Sequence, residues 1–124
     1  MQKQKPKVLI VEDKEYLLKI IDENLSSQFE CFQTVKGLEA LSSCQDADLA
    51  ILSTNVKDVK TDELLEKIKA ARDIPVMILT SNLTSRMRIH MLREGADDVM
   101  TKPFNPEELL LRLQNMVKRR QACL

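Results

Sequence analysis

Four apolar runs in this chain end abruptly in polar residues, and those polar residues are where chemistry could occur. Val8-Leu9-Ile10-Val11 ends in Glu12-Asp13. Leu49-Ala50-Ile51-Leu52 ends in Ser53-Thr54-Asn55, Val76-Met77-Ile78-Leu79 ends in Thr80-Ser81, and the last short run ends in Thr101-Lys102-Pro103. Short all-apolar runs bounded by polar residues are strands buried on both faces. In open parallel sheets, chemistry sits just past the carboxyl ends of such strands. Adjacent carboxylates facing a lysine and hydroxyls are the composition of a small site for a divalent cation and a phosphoryl group. Hard carboxylate oxygens suit Mg²⁺, and a lysine and a threonine suit phosphoryl oxygens.

The elements that must position these groups alternate along the chain. Strands are expected at 7–12, 29–35, 48–52, 76–79 and 96–100, the last more polar and so at a sheet edge. Helices are expected between and after them. The first, at about 14–26, carries Leu17, Ile20, Ile21 and Leu25, and the second, at 37–44, carries Leu38 and Leu41 on one face. The third, at 61–72, turns Leu64, Leu65 and Ile68 inward, and the fourth, at 84–93, ends at Gly95 in a C-cap role. The fifth opens on Asn105-Pro106-Glu107-Glu108, where Asn105 caps, Pro106 fits the first helical position and Glu108 can close a capping box. Its apolar face is Leu109, Leu110, Leu113, Met116 and Val117. Strands alternating with helices predict an α/β doubly wound parallel sheet with right-handed crossovers.

Composition narrows the function classes. The 124 residues suffice for one domain, and 44% apolar with 31% charged is an ordinary globular balance. The formal net charge is zero, which implies no global pull toward nucleic acid or anionic lipid. Lys3, Lys5 and Lys7 near the start, and Lys118, Arg119 and Arg120 near the end, fit a solvated tail and a helix terminus complemented by cations. Cys31, Cys44 and Cys123 lack paired or metal-type spacing, so reduced thiols in a cytoplasmic protein are expected. No apolar run approaches a membrane span, and three Phe with one Tyr offer no base-stacking platform.

From Lys7 to about Arg120 the chain resembles the receiver domain of two-component response regulators. The residues that carry the likeness are Val8 to Asp13, Asp48 to Leu52, Pro75 to Ser81, Gly95 to Phe104 and Asn105 to Leu109, in that order. The resemblance implies a flavodoxin-like fold with strand order 2-1-3-4-5 and helices on both faces, a cis Lys102-Pro103 bond, and a role in phosphorelay signalling. One domain over 1–124 is expected, with residues 1–6 a tail and 121–124 the place where a linker to a DNA-binding effector would begin.

The likeness breaks at its centre. In receivers, the position of Ser53 holds the aspartate that takes the phosphoryl group from a histidine kinase and helps bind Mg²⁺. A serine hydroxyl is un-ionised at neutral pH and needs a base. His90, the one histidine, falls mid-helix on another surface. Asp48 lies five residues earlier, roughly 16 Å back along the strand, and Asp58 could reach the site only by an unusual bend. Val99 stands where receivers usually carry the aromatic of their switch, and Lys57 and Thr61 stand near the places of a loop Pro and Gly.

The expectation is therefore an atypical receiver that acts without phosphorylation. Thr80 and Lys102 would be vestigial, and Glu12 and Asp13 would form an acidic pocket. No firm cofactor is expected, with Mg²⁺ held weakly, if at all, by Asp13 and the Asn55 backbone. The expected contact surface is the fourth helix, fifth strand and fifth helix, with Arg86, Arg88, Arg93, Asp97, Asp98, Glu108 and Arg112 in mixed charge. Its partner would be a second copy or another protein, a sensor kinase included, with no membrane or direct nucleic-acid contact. The alternatives are a phosphorylatable receiver, in which another residue accepts or Ser53 replaces an engineered-out aspartate, and a flavodoxin-like redox protein. The last is poor, because the chain has two glycines and no glycine-rich phosphate loop.

Overall fold

The computed structural model describes residues 4–122; Lys3, Cys123 and Leu124 lie outside them. Five strands, β1 (Lys7–Val11), β2 (Glu30–Thr34), β3 (Leu49–Ser53), β4 (Val76–Thr80) and β5 (Asp98–Thr101), pair in parallel in the order β2-β1-β3-β4-β5. The helices are α1 (Glu15–Leu25), α2 (Gly37–Ser43), α3 (Thr61–Ala71), α4 (Ser85–Arg93) and α5 (Pro106–Ala122), with a 3₁₀ turn at Cys44–Asp46. The expected architecture is the observed one, and Lys102-Pro103 is cis. Gln121 and Ala122, expected to begin a linker, continue α5.

The all-apolar strands exist because both faces of the sheet are covered. Leu9, Val11, Ala50, Leu52, Val76 and Ile78 point to one side, against Ala40 of α2, Cys44 of the 3₁₀ turn, Leu64, Leu65 and Ile68 of α3, and Met91 of α4. Val8, Ile10, Leu49, Ile51, Met77 and Leu79 alternate to the other side, against Leu18, Ile21 and Leu25 of α1 and Leu109, Leu113 and Met116 of α5. Alternation at period two thus feeds two cores from one strand.

Two helix faces differ from expectation. In α1 the buried stripe is Leu18, Ile21 and Leu25, while Leu17 is half-buried and Ile20 is exposed. The 18-21-25 spacing keeps the stripe over the sheet, and Ile20 lies about 100° round the helix from Ile21, off that stripe. In α2, Leu38 is exposed and the inward stripe is Gly37 and Ala40, continued by Cys44 of the 3₁₀ turn, with Leu41 half-buried. Small residues there let the helix approach the β3–α3 loop closely. Asp58 of that loop accepts hydrogen bonds from the backbone N–H groups of Gly37 (2.8 Å) and Leu38 (3.0 Å), so it caps α2 from across the fold. These two bonds hold its carboxyl below its ordinary pKa.

A methyl group at Gly37 would collide with Val59 Cγ1 and press Leu64 Cδ2 at 3.2 Å and Asp58 Oδ1 at 3.3 Å. Gly37→Ala is therefore expected to destabilise the protein by about 1–3 kcal/mol, despite alanine's better helix propensity. Urea denaturation of the two proteins measures it; an unchanged midpoint would show that the loop yields freely.

Gly95 follows α4 at φ +110°, a conformation that favours glycine. Its N–H bonds Leu92 O, and the Ala96 N–H bonds Met91 O, which closes the helix end before β5 begins. At the start of α5, Asn105 Oδ1 accepts from the Glu107 N–H at 2.9 Å and the Glu108 N–H at 3.4 Å, as expected of a cap. The Glu108 carboxylate instead faces Arg112 at 3.6 Å, one turn along the helix.

Candidate functional site

Register brings the strand ends together. Val11 pairs with Leu52, Ser53 with Leu79 and Thr80 with Thr101, so the residues just beyond all emerge at one edge. Backbone hydrogen bonds extend this alignment past the strands, from Glu12 N–H to Thr34 O, Thr54 N–H to Leu79 O and Lys102 N–H to Thr80 O.

Glu12 is the hub. It is 0% exposed, yet charged and fully bonded. Its Oε1 accepts the Ser53 hydroxyl at 2.6 Å and the Lys102 ammonium at 2.7 Å. Its Oε2 accepts Asn55 Nδ2 at 2.8 Å and the Lys14 backbone N–H at 3.1 Å. The same Asn55 nitrogen donates to Asp13 Oδ1, and Asn55 Oδ1 accepts Lys102 Nζ at 2.7 Å. Burial alone would raise the Glu12 pKa. Lys102, Ser53, Asn55 and the Lys14 N–H outweigh it and lower the value from 4.5 to about 2.

Ser53 is 2% exposed and its proton is committed to Glu12. A carboxylate with so low a pKa is a weak base, so this geometry does not generate a serine nucleophile. Thr80, also 2% exposed, has its hydroxyl oxygen held by the Thr54 hydroxyl at 3.1 Å and the Asn82 N–H at 3.2 Å. The structure thus brings Glu12, Asp13, Ser53 and Lys102 together, with Thr80 beside them through its strand. It also adds Asn55 by its side chain, not by the backbone expected. Asn55 was recoverable from spacing: two residues after Ser53, just past a strand, period two aims it to the same side.

Other carboxylates are engaged elsewhere. Asp48 Oδ2 accepts the Lys7 N–H at 2.7 Å, at the amino end of the sheet, and Asp58 caps α2. His90 lies exposed on α4 with Nε2 3.3 Å from Asp62 Oδ2 of α3, a contact that lowers the Asp62 pKa. Burial raises the thiol pKa of both Cys31, to about 11, and Cys44.

The expected contact surface is partly rearranged. Arg112 forks onto Asp98 at 2.9 and 3.1 Å, which raises the Arg112 pKa, and Arg88 Nη1 lies 3.5 Å from Val99 O. Arg86 and Arg93 are exposed on α4. Asp97 does not join them: its Oδ2 accepts the Val76 N–H at 2.7 Å and Lys69 Nζ at 2.9 Å, so it fastens β4 and α3 at the amino edge. One position before the strand, it leans away from the face that Asp98 occupies. Val99, where an aromatic was considered, is 2% exposed.

The sequence model of the response regulator receiver domain matches residues 8–114. The chain belongs to that family. Among similar curated proteins, the cell cycle transcriptional regulator CtrA of Caulobacter vibrioides is 32% identical over 117 residues, covering 91% of this chain and 51% of its own. The response regulator SaeR of Staphylococcus aureus is 31% identical over 115 residues, covering 90% and 50%. Hybrid signal transduction histidine kinase D of Dictyostelium discoideum is 29% identical over 123 residues, 95% of this chain but 8% of the kinase. This receiver therefore spans about half, or much less, of the relatives it matches. Among solved structures, the BeF₃-activated DrrB receiver domain superposes with a TM-score of 0.87 at 28% identity, covering 93% and 99% of the two chains.

A receiver's Mg²⁺ can be tested against these residues. A carboxylate offers about four lone-pair positions, and all four of Glu12 are taken by protein donors. Among the described residues, no three His, Cys, Asp or Glu side chains converge, and every buried side-chain polar atom has a partner. Mg²⁺ usually takes one or two free carboxylates beside its waters; here Glu12 is closed to it and Asp13 Oδ1 is already bonded to Asn55, so the donor set fits it poorly.

Proposed function

We propose that this receiver is a non-enzymatic signalling module of the two-component type that works without phosphorylation. The observation that carries the reading is Ser53, a buried hydroxyl already donated to Glu12 at the end of β3. Phosphoryl transfer needs an anionic or activated acceptor within reach, and Ser53 is neither. Asp48 and Asp58 are held elsewhere, and Asp13 is paired with Asn55.

Its output would be a fixed surface of α4, β5 and α5. Ile89 and Leu92 of α4 and Leu111 of α5 are exposed, each about half accessible, and Arg112 of α5 pairs with Asp98 of β5. Apolar side chains rimmed by charge suit a protein partner or a second copy. Among the described residues no helix is long and apolar enough to cross a membrane, and a cytoplasmic setting fits the family's phosphorelay role. The relatives named as a histidine kinase and a transcriptional regulator support a sensor kinase or a DNA-binding effector as the setting in which it acts.

Intact-mass measurement after acetyl phosphate and Mg²⁺ treatment tests the reading, with an aspartate-bearing receiver as the positive control. The expected result is no phosphate adduct on this protein. An adduct on any residue overturns the reading and supports the alternative of another acceptor.

A further inference from the structure

Glu12 and Asp13 are two adjacent carboxylates with two donors drawn between and across them. Lys102 Nζ bridges Glu12 Oε1 and Asn55 Oδ1, both at 2.7 Å. Asn55 Nδ2 reaches Glu12 Oε2 at 2.8 Å and also Asp13 Oδ1. One ammonium and one amide N–H₂ group thus take up both oxygens of Glu12 and Oδ1 of Asp13, which a divalent ion would compete for. A divalent ion coordinated through Glu12 or through Asp13 Oδ1 at the short distances Mg²⁺ requires would have to break at least one of these bonds.

We propose that Lys102 and Asn55 together serve as the pocket's built-in cation, so that this receiver excludes Mg²⁺, and that the Asn55 carboxamide is the residue that decides the exclusion. The inference deepens the phosphorylation-independent reading, on which it rests, by naming what keeps the site closed. Lys102 supplies the charge. Asn55 supplies the geometry, because only its nitrogen touches both carboxylates, and its oxygen holds the ammonium in place.

Exchange of that amide for a carboxylate removes the two donations and adds a third anionic ligand. The test is a Mg²⁺ titration of ¹⁵N-labelled wild type, Asn55→Asp and Asn55→Ala, following the amides of Asp13, Asn55, Thr80 and Lys102. Circular dichroism checks each fold. Wild type is expected to show no saturable shift through the millimolar range. Asn55→Asp is expected to saturate with an affinity at least about ten-fold tighter, from the added ligand charge. If Asn55→Asp does not fold, Asn55→Ala decides, because it removes the Asn55 donations to Glu12 Oε2 and Asp13 Oδ1 without adding charge. Saturation of wild type at submillimolar Mg²⁺ overturns the proposal, and so does a folded substituted protein that binds no better than wild type. Wild-type Mg²⁺ binding without a phosphate adduct would refute this inference alone, whereas an adduct would refute the functional reading.

Discussion

Lys102→Met will destabilise this receiver by about 3–5 kcal/mol at neutral pH, the cost of leaving a buried charge without its partner. Lys102 is 13% exposed in its side chain and Glu12 is 0%, so water cannot replace the ammonium at 2.7 Å. Methionine has nearly the same length and no charge, so the loss isolates the ion pair from the packing of the stem. A whole domain is stable by only about 5–15 kcal/mol, and the urea midpoint should fall by a large fraction.

The pH dependence separates this cause from a packing defect. In wild type the folded Glu12 pKa is about 2 against an ordinary 4.5. A depressed carboxyl contributes stability that is fully present above 4.5 and is lost as pH falls from 4.5 toward 2, here about 3 kcal/mol. In Lys102→Met one of the lowering contacts is lost while burial stays, and the folded pKa rises from its wild-type value. The variant's deficit should therefore be largest at neutral pH and shrink below pH 4.5, where wild type loses its own advantage. Adding Glu12→Gln to Lys102→Met should recover part of the loss at pH 7 by removing the orphaned charge. A deficit that is constant from pH 7 to pH 3 would show that the ammonium is not what supports the carboxylate.

The parts of this molecule legible in its sequence are those that depend on local pattern. Val8–Val11, Leu49–Leu52 and Val76–Leu79 had to be doubly buried strands, because no amphipathic element could hide them, and their polar ends then had to meet at one edge. Period alone does not fix the rotation of a helix when apolar residues exceed one stripe. Leu17 and Ile20 compete with Leu18 in α1, and Leu38 competes with Gly37 and Ala40 in α2, and the sheet decides both. Roles that need a partner distant in sequence were not legible. Asp58 acts 21 residues back at Gly37, and Asp97 acts across the sheet on Val76 and Lys69. A carboxylate in a loop carries no mark of the N–H group it will cap. Asn55 falls between the two cases, since alternation predicts its direction but its partners come from the ends of two other strands, β1 and β5.

Ser53→Asp should reverse the sign of the pH dependence. The position is 2% exposed, and Ser53 Oγ lies 2.6 Å from Glu12 Oε1. Aspartate there removes a donor to Glu12 and puts a second buried carboxylate against it, with Lys102 the nearest cation for both. Two carboxylates sharing a site cannot both ionise easily, so one of them titrates well above its ordinary range. A carboxyl with a raised folded pKa holds its proton longer in the folded state. Its stabilising share is present at low pH and is lost as pH rises. In metal-free buffer the variant should therefore fall below wild type by about 3 kcal/mol at pH 7, with the difference narrowing below pH 4. Ser53→Ala supplies the contrast: it loses one hydrogen bond to a charged group, about 1.5–3 kcal/mol, but adds no anion. Its stability should still rise with pH through the carboxylate range, as wild type does. Urea midpoints at pH 4, 5.5 and 7 for the three proteins measure this. If Ser53→Asp and Ser53→Ala follow the same pH profile, the pocket tolerates a second anion. The serine would then not be what allows Glu12 to stay charged in a site closed by Lys102 and Asn55.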